Sequence, residues 1–493
     1  MRHVEFPAAP IVCKNLLGSE WRDAIGGERQ DIVSPWNGEV IGSVPMSDAR
    51  DVDAVVKRAR DAAKSWRSVP IKERTQTLFR YRELVLRDLE KLAHRAAAES
   101  GKTVGEARAE VLKGIEVIEF ALSIQNLDQG GVLEVSRGVT CEVRREPLGV
   151  VAGITPFNFP AMVPMWLYPI AITVGNAFVW KPSEKVPMTA CLLAELALEA
   201  GFPAGVLSLV HGGKAAAEAL VDHPDVAALG FVGSTMAARS LYVRAAQTGT
   251  RALCLGGAKN VLMVVPDADP DVTVPGVVAS FTGCAGQRCM AASLLVAVGD
   301  VDPLIERIAE AAEKIRLGHD MGAIIDRGAR DRLVADIEVA KKDGARLRLD
   351  GRHVPAPSGF ENGHWLAPTI LDGASYGMGC TTKELFGPIM TVVRVRNLDE
   401  ALEVERQGEY GNATSVFTTK GAVARYVAEN ATSGMVGVNV GVPVPREPFS
   451  FGGTKHSRFG EGDVTGKSGL EHWSTLKKIT SKWELSKDNS WMS

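Results

Sequence analysis

The sequence predicts an α/β protein: two lobes of parallel, doubly wound sheet with a small antiparallel ribbon between them. Three observations carry this. The chain has 493 residues, more than one core holds, since single cores stop growing near ~250–300 residues. From Val150 to Leu255 short apolar runs of strand length alternate with helical periodicity, the pattern of parallel strands joined by crossover helices. A second series of the same kind runs from Val261 to about Gly460.

The elements follow in order. Apolar runs between turn signals such as Ser34-Pro35-Trp36-Asn37-Gly38 predict a small antiparallel ribbon in the first 50 residues. Asp51 to Trp66, Ile71 to Ser100 and Val104 to Leu122 place Ala, Val and Leu at three- and four-residue spacings and predict helices, the last carrying Arg108. After a polar segment, Gln125 to Gly131, Val132 to Arg145 alternates like a strand and Glu146-Pro147 closes it. Strands are then predicted at 150–154, 177–180, 207–210, 227–232 and 251–255, with helices at 161–174, 188–200, 214–221 and 234–246, the last capped by Ser234. Sheets of this kind bind ligands at the carboxyl ends of their strands. In the second series, strands are predicted at 261–265, 293–298, 391–395 and 414–417, with helices at 303–316 and 326–342. Two such lobes leave a cleft at their junction, a usual place for a two-substrate site.

Composition excludes several functions. Lys+Arg 56 against Asp+Glu 59 gives a net charge of -3 with no long basic run, which argues against nucleic acid. The cysteines at 13, 141, 191, 254, 284, 289 and 380 are scattered without a C-x-x-C, and the histidines show no H-x-x-x-H. That argues for reduced thiols in a cytoplasm-like compartment and against a metal site. The N-terminal stretch has no apolar signal region. Ala161 to Trp180 is long and apolar enough to suggest a membrane span, but Pro164, Pro169 and Gly175-Asn176 cut it. A buried helix and strand are expected there instead. There is no G-x-G-x-x-G, and Gly466-Lys467-Ser468 lacks the P-loop glycine five positions earlier, where Glu461 stands.

The stretch from Leu255 to Cys289 concentrates the chemistry. Cys289 is preceded by an uncharged, Gly-rich segment and one arginine, Gly283-Cys284-Ala285-Gly286-Gln287-Arg288, as a thiolate nucleophile on a tight turn would be. Four further pieces stand in order along the chain: Thr155-Pro156-Phe157-Asn158-Phe159-Pro160, Trp180-Lys181-Pro182-Ser183-Glu184, Phe231-Val232-Gly233-Ser234-Thr235 and Glu384-Leu385-Phe386-Gly387-Pro388. Together the five resemble the NAD(P)-dependent aldehyde dehydrogenase superfamily along almost the whole chain.

The resemblance implies a Rossmann-type cofactor domain at 1–124 and 147–257, a catalytic domain at 258–460, and an oligomerisation ribbon with a C-terminal arm at 125–146 and 461–493, in a homodimer or homotetramer. It implies that Cys289 adds to an aldehyde and becomes a thioester, with the Asn158 amide and the Cys289 backbone N–H facing the oxyanion. Phe157, Lys181, Ser183, Glu184, Ser234, Glu384 and Phe386 are implied as cofactor ligands. A carboxylate at Glu184 favours NAD over NADP. Each residue also has an ordinary alternative: Asn158 a turn asparagine, Ser234 a plain N-cap, Glu384 an exposed glutamate, Phe386 a core side chain, Cys284 a small packed thiol.

In hydrolytic members of the superfamily a glutamate activates the water that cleaves the thioester, and its place here is Leu255, thirty-four residues before Cys289. Leucine accepts no proton, and general-base help is worth ~10²–10⁴-fold. A thiol needs less help, which makes coenzyme A the implied acceptor. Gly257-Ala258-Lys259-Asn260, Gly286 to Ala291 and Gly101-Lys102-Thr103 followed by Arg108 are similar to the CoA-acylating methylmalonate-semialdehyde dehydrogenase branch. Arg108 and Arg288 are then implied to grip a substrate carboxylate, their ordinary alternatives being a helix salt bridge and a brace for the nucleophile loop. The chain departs from the branch at Leu255, usually asparagine, in the segment before Gly318, and at Arg446, Thr454 and His456. A hydrolytic enzyme recruiting Glu461 or His456 as base, a cysteine hydrolase and a silent binding protein are the other readings.

Overall fold

The computed structural model describes residues 4–127 and 130–483. Its first large sheet has eight strands in the order Arg458–Phe459, Arg251–Leu255, Val226–Val232, Val150–Ile154, Ala177–Lys181, Leu207–Leu209, Asn15–Leu17 and Glu20–Arg22. The five central strands pair in parallel and antiparallel strands close both edges. Val150–Ile154 and Ala177–Lys181 are buried at every position, so they read as unbroken apolar runs and not as alternating ones. The apolar segment at 161–180 resolves into the Met162–Val174 helix, ended by Gly175 in the left-handed region, and the Ala177–Lys181 strand. Among the described residues no helix is long and apolar enough to cross a membrane.

The second sheet has seven strands, Arg346–Leu349, Thr369–Asp372, Ile389–Val395, Leu294–Val298, Val261–Val264, Ala413–Phe417 and Met435–Val438, parallel except for the first pair. Four of these correspond to predicted strands; the short Thr369–Asp372, Arg346–Leu349 and Met435–Val438 strands were not anticipated. The sheets are tied together where one ends and the other begins. Leu255 sits opposite Arg458, Gly256 N–H donates to Ser457 O at 2.9 Å, and Ser457 Oγ donates to Gly257 O at 2.8 Å.

Three expectations change. The antiparallel ribbon expected in the first 50 residues is present only in part: Arg29–Val33 and Val40–Pro45 form it around the Ser34–Gly38 turn, Ile11–Val12 joins it in parallel, and Asn15–Leu17 and Glu20–Arg22 instead extend the large sheet. The helix predicted over 71–100 breaks at Asp88 into Ile71–Arg87 and Leu89–Ser100. The strand predicted over 132–145 is a hairpin, Gly130–Ser136 and Val139–Pro147, turned at Gly138 with φ 69°. The Ser474–Lys482 strand completes this three-stranded sheet. Asp128 and Gln129 of the predicted polar segment and residues 484–493 of the implied arm lie outside the described residues.

Candidate active site

Three neighbouring parallel strands, Val226–Val232, Val150–Ile154 and Ala177–Lys181, deliver Ser234, the Thr155–Pro160 segment and Lys181–Glu184 from their carboxyl ends. Ser234 is exposed and its Oγ accepts from Ala237 N–H at 3.4 Å, capping the Thr235–Thr248 helix. The cap and an anion-binding helix start are compatible, because the first N–H groups of a helix lack intrahelical partners. Lys181 is buried, and its Nζ donates to Pro182 O at 2.8 Å and Gly212 O at 2.5 Å, with Glu184 at 3.8 Å. Burial pulls its ammonium below the ordinary lysine range. Phe157 and Phe386 meet edge-on with ring centroids 5.8 Å apart, and Phe386 adopts φ 61°. Ser183 Oγ accepts from Lys185 N–H at 3.3 Å.

Glu384 is not an exposed helix glutamate. Its Oε1 accepts from Ala258 N–H at 2.9 Å, and its carboxylate occupies the space that a Cβ on Gly257 would need. Burial pushes it up to about 7. Beside it, Lys259 is buried, its Nζ has no hydrogen-bond partner, and burial pulls it down to about 8.

The nucleophile turn is built from unusual backbone. Cys284, Ala285 and Gly286 have φ of 52°, 52° and 68°, and a Cβ at Gly286 would lie 2.0 Å from Gly387 O. Side chains hold the turn. Glu106 Oε1 accepts from Cys284 N–H at 2.6 Å. The Gln287 amide donates to Ala323 O at 3.2 Å and accepts from Ile325 N–H at 3.0 Å. Asn158 Nδ2 donates to Gln287 O at 2.9 Å, and the Cys289 carbonyl accepts from Asn260 Nδ2 at 2.6 Å and Asn412 Nδ2 at 3.0 Å. Asn158 is itself fixed through its backbone: Lys102 Nζ donates to Asn158 O at 2.7 Å and pairs with buried Glu110. Glu110 in turn accepts from Ala161 N–H at 2.7 Å and Met162 N–H at 3.2 Å, capping the helix that follows Asn158.

Asn158 is thus tied to the residue two before Cys289, with one of its two amide N–H groups on Gln287 O. Leu255 is buried in the large apolar core of the protein, against part of which Cys289 also packs. Burial first, then the charge of Glu384, pushes the Cys289 thiol up to about 12. The rival Cys284 is buried and pushed up to about 11 by the same cause. Of the other candidate bases, His456 Nε2 meets Arg239 Nη2 at 2.9 Å on the protein surface, and Glu461 is exposed.

The two arginines fare differently. Arg288 lies next to Cys289, its Nη2 donates to Ser280 O at 3.1 Å and to Ala279 O, and its Nε is buried without a partner. It braces the end of the Pro270–Thr282 helix while keeping a donor unspent. Arg108 is not brought to the nucleophile. It forms a two-pronged pair with Glu90 at 2.6 and 2.7 Å, in a groove with Trp36 and Phe360. Glu106 and Glu110 face the site from the Val104–Ser123 helix, and Arg108, two residues from each, lies roughly 200° around it. The helix salt bridge is therefore its role. Lys113, seven residues after Glu106, shares the inward face and meets Glu116 at 2.8 Å and Glu447 at 3.2 Å.

Sequence reasoning missed Lys102, Glu106, Glu110, Gln287 and Asn412. Thr103-x-x-Glu106 spells a capping box, and the structure contains it. Asn412 carries a sequon's spelling and nothing that points to Cys289.

Residues 21–479 match the model of the aldehyde dehydrogenase family. The chain belongs to that family. It is 42% identical over 477 residues to malonate-semialdehyde dehydrogenase 2 of Geobacillus thermodenitrificans, covering 95% of this chain and 98% of the relative. It is 39% identical over 485 residues to the acylating mitochondrial methylmalonate-semialdehyde dehydrogenase of Arabidopsis thaliana, covering 97% and 80%. The crystal structure of methylmalonate-semialdehyde dehydrogenase from Oceanimonas doudoroffii superposes with a TM-score of 0.95 at 36% identity, covering 97% of this chain and 100% of that one. A Sinorhizobium meliloti protein assigned to the same enzymes and crystallised with NAD gives 0.95 at 38%, covering 98% and 100%. The dehydrogenase is an oxidoreductase, and its fold agrees with the expectation.

The raised thiol has a measurable consequence. Because an acid pushed upward ionises only as pH climbs, alkylation of Cys289 by iodoacetamide in the cofactor-free enzyme should keep accelerating from pH 7 to beyond the ordinary cysteine value of ~8.5. A rate that levels off by about pH 9.5 would show an ordinary thiol, and one that levels off by about pH 8 an activated one.

Proposed function

We propose that this aldehyde dehydrogenase is an NAD-dependent, CoA-acylating enzyme for short carboxylated semialdehydes of the malonate and methylmalonate type, acting with decarboxylation through a Cys289 thioester. Leu255 carries the reading. It is a buried apolar side chain thirty-four residues before Cys289, at the chain position where a hydrolytic member of the family needs a carboxylate. The names borne by the relatives support it.

The donor set suits NAD. A hydroxyl and free N–H groups at Ser234 suit a pyrophosphate, Lys181 and Glu184 suit ribose hydroxyls, and Ser183, Phe157, Phe386 and Glu384 line the approach to Cys289. NAD when bound supplies the two-electron oxidation. This chain supplies the rest. Cys289 adds to the carbonyl, and the spare N–H of Asn158 and the Cys289 N–H meet the oxygen that gains charge. Hydroxyl donors reaching Glu384 reduce the negative charge that holds the thiol up. Water arriving at the thioester beside Leu255 finds no base, whereas the thiol of CoA is partly ionised on its own. Arg288, through its spare donors, and Lys113 on the inward helix face are the cations for the substrate carboxylate. Glu447, which pairs with Lys113, must yield as substrate enters.

The apolar edge strand Gly130–Ser136 exposes Val132 at 69%, Leu133 at 68% and Val135 at 52%. A bare edge of this kind is a template for another chain, and we assign it to a homodimer or homotetramer contact. The seven free cysteines suit a reducing compartment such as the cytoplasm.

NADH formation from malonate or methylmalonate semialdehyde should require CoA, and Leu255→Glu should raise CoA-independent turnover at least ~10-fold, within the range general-base help spans. Full turnover of the natural enzyme without CoA would overturn the acylating reading. Arg288→Gln should raise KM for a carboxylated aldehyde far more than for a neutral one of similar length; equal effects would reduce Arg288 to a brace. In sedimentation, Val132→Lys with Leu133→Lys should shift the protein to smaller species, and an unchanged profile would move the contact elsewhere.

A further inference from the structure

A second thiol centre lies away from Cys289. Cys13 follows the Ile11–Val12 strand and Cys191 lies in the Pro187–Glu199 helix; both are buried and both line the same small cavity. His211, also buried, brings Nε2 to 3.5 Å from Cys191 Sγ and 3.1 Å from Lys14 O. A carbonyl only accepts, so Nε2 carries the proton and its N–H is shared between that oxygen and the sulfur. Cys191 Sγ is therefore an acceptor toward His211, and its own reach as a donor, to Lys14 O, is the longer contact at 4.0 Å.

A donor aimed at the sulfur favours its thiolate. The Cys13 thiol, with His211 behind it, pulls Cys191 below the usual thiol range. The Cys191 thiol, together with burial, pushes Cys13 up. A cavity of about 290 Å³ reaches both cysteines and is also lined by Lys91, Arg95 and Glu195. The remaining acid nearby, Glu99, is engaged by Met188 N–H at 2.7 Å and Thr189 N–H at 2.8 Å. Among the described residues no group of three or more His, Cys, Asp or Glu has the geometry to hold a metal ion, which leaves thiol chemistry as what this pair offers.

We propose that Cys13 and Cys191 are a redox pair that a peroxide oxidises to an intramolecular disulfide, Cys191 being attacked first and Cys13 resolving it. The Cys191 thiolate attacks one peroxide oxygen, the O–O bond breaks, and hydroxide leaves to take up a proton as water. Cys191 is then a sulfenic acid. The Cys13 sulfur attacks the Cys191 sulfur, the S–O bond breaks, and the hydroxide expelled takes the Cys13 proton as a second water. Two thiols lose two electrons and two protons, and one hydrogen peroxide becomes two waters. The bond ties the N-terminal segment that carries the sheet's edge strand to the helix that follows the Lys181–Glu184 loop.

The test uses the full chain with stoichiometric hydrogen peroxide, denaturing alkylation without reductant, and peptide mass mapping. The expected product is a Cys13–Cys191 linked peptide that dithiothreitol removes, with a melting temperature raised by oxidation, as a cross-link restricts the unfolded chain. In Cys13→Ala, dimedone should label Cys191. In Cys191→Ala, Cys13 should stay unlabelled. Both cysteines recovered as alkylated thiols while other cysteines oxidise would overturn the pair, and equal labelling of Cys13 in Cys191→Ala would overturn the order of attack. The wild-type map needs no variant, so a variant that folds poorly leaves the proposal open to refutation.

Discussion

Three consecutive residues in left-handed backbone, Cys284, Ala285 and Gly286, are the constraint on which the active site rests. Two of them carry side chains, and such a conformation costs roughly 1–2 kcal/mol per residue. The turn persists because its surroundings over-determine it. A carboxylate, Glu106, takes one N–H, an amide, Gln287, bridges it to the 323–325 segment, and Gly387 O leaves no room for a Cβ at Gly286. The same turn aims Gln287 O at Asn158 and the Cys289 carbonyl at Asn260 and Asn412. Nucleophile, oxyanion donor and the start of the second sheet are thereby locked in one hydrogen-bonded unit.

Behind that unit stands the buried Lys102–Glu110 pair. A buried pair of this sort is weak support for stability in itself, and strong support for a particular geometry when both ions have further partners. Here Lys102 reaches Asn158 O, and Glu110 caps the helix that begins at Met162. Negative charge is thus spent on positioning from behind the nucleophile turn and, through Glu384, on the cofactor side. At Leu255, where the acyl group would meet water, there is none. This distribution protects a thioester until a better nucleophile comes.

Much of this was legible in the sequence. The strands at 150–154, 177–181 and 226–232 are uninterrupted apolar runs bounded by turn residues, and burial on both faces leaves that mark. Cys289, Asn158, Lys181 and Glu384 were legible as ordered motifs, although their contacts were not. The hairpin at Gly138 reads as one strand in the sequence because alternation continues across a two-residue turn. Arg108 was misplaced for a helical reason: spacing along the chain says which residues share a face only after the face toward the site is known, and Glu106 and Glu110 define it. The Lys102 network was invisible because its partners lie 8 and 56 residues away and meet only when the helix packs on the sheet.

The central claim is that the acyl-enzyme waits for CoA. The most direct measurement is the intact mass of the enzyme after mixing with NAD and malonate semialdehyde in the absence of CoA, followed by CoA addition. The account predicts an adduct on Cys289 that persists and is discharged as an acyl-CoA only when CoA is added. Rapid loss of the adduct to water, with continued NADH formation and no CoA present, would contradict it.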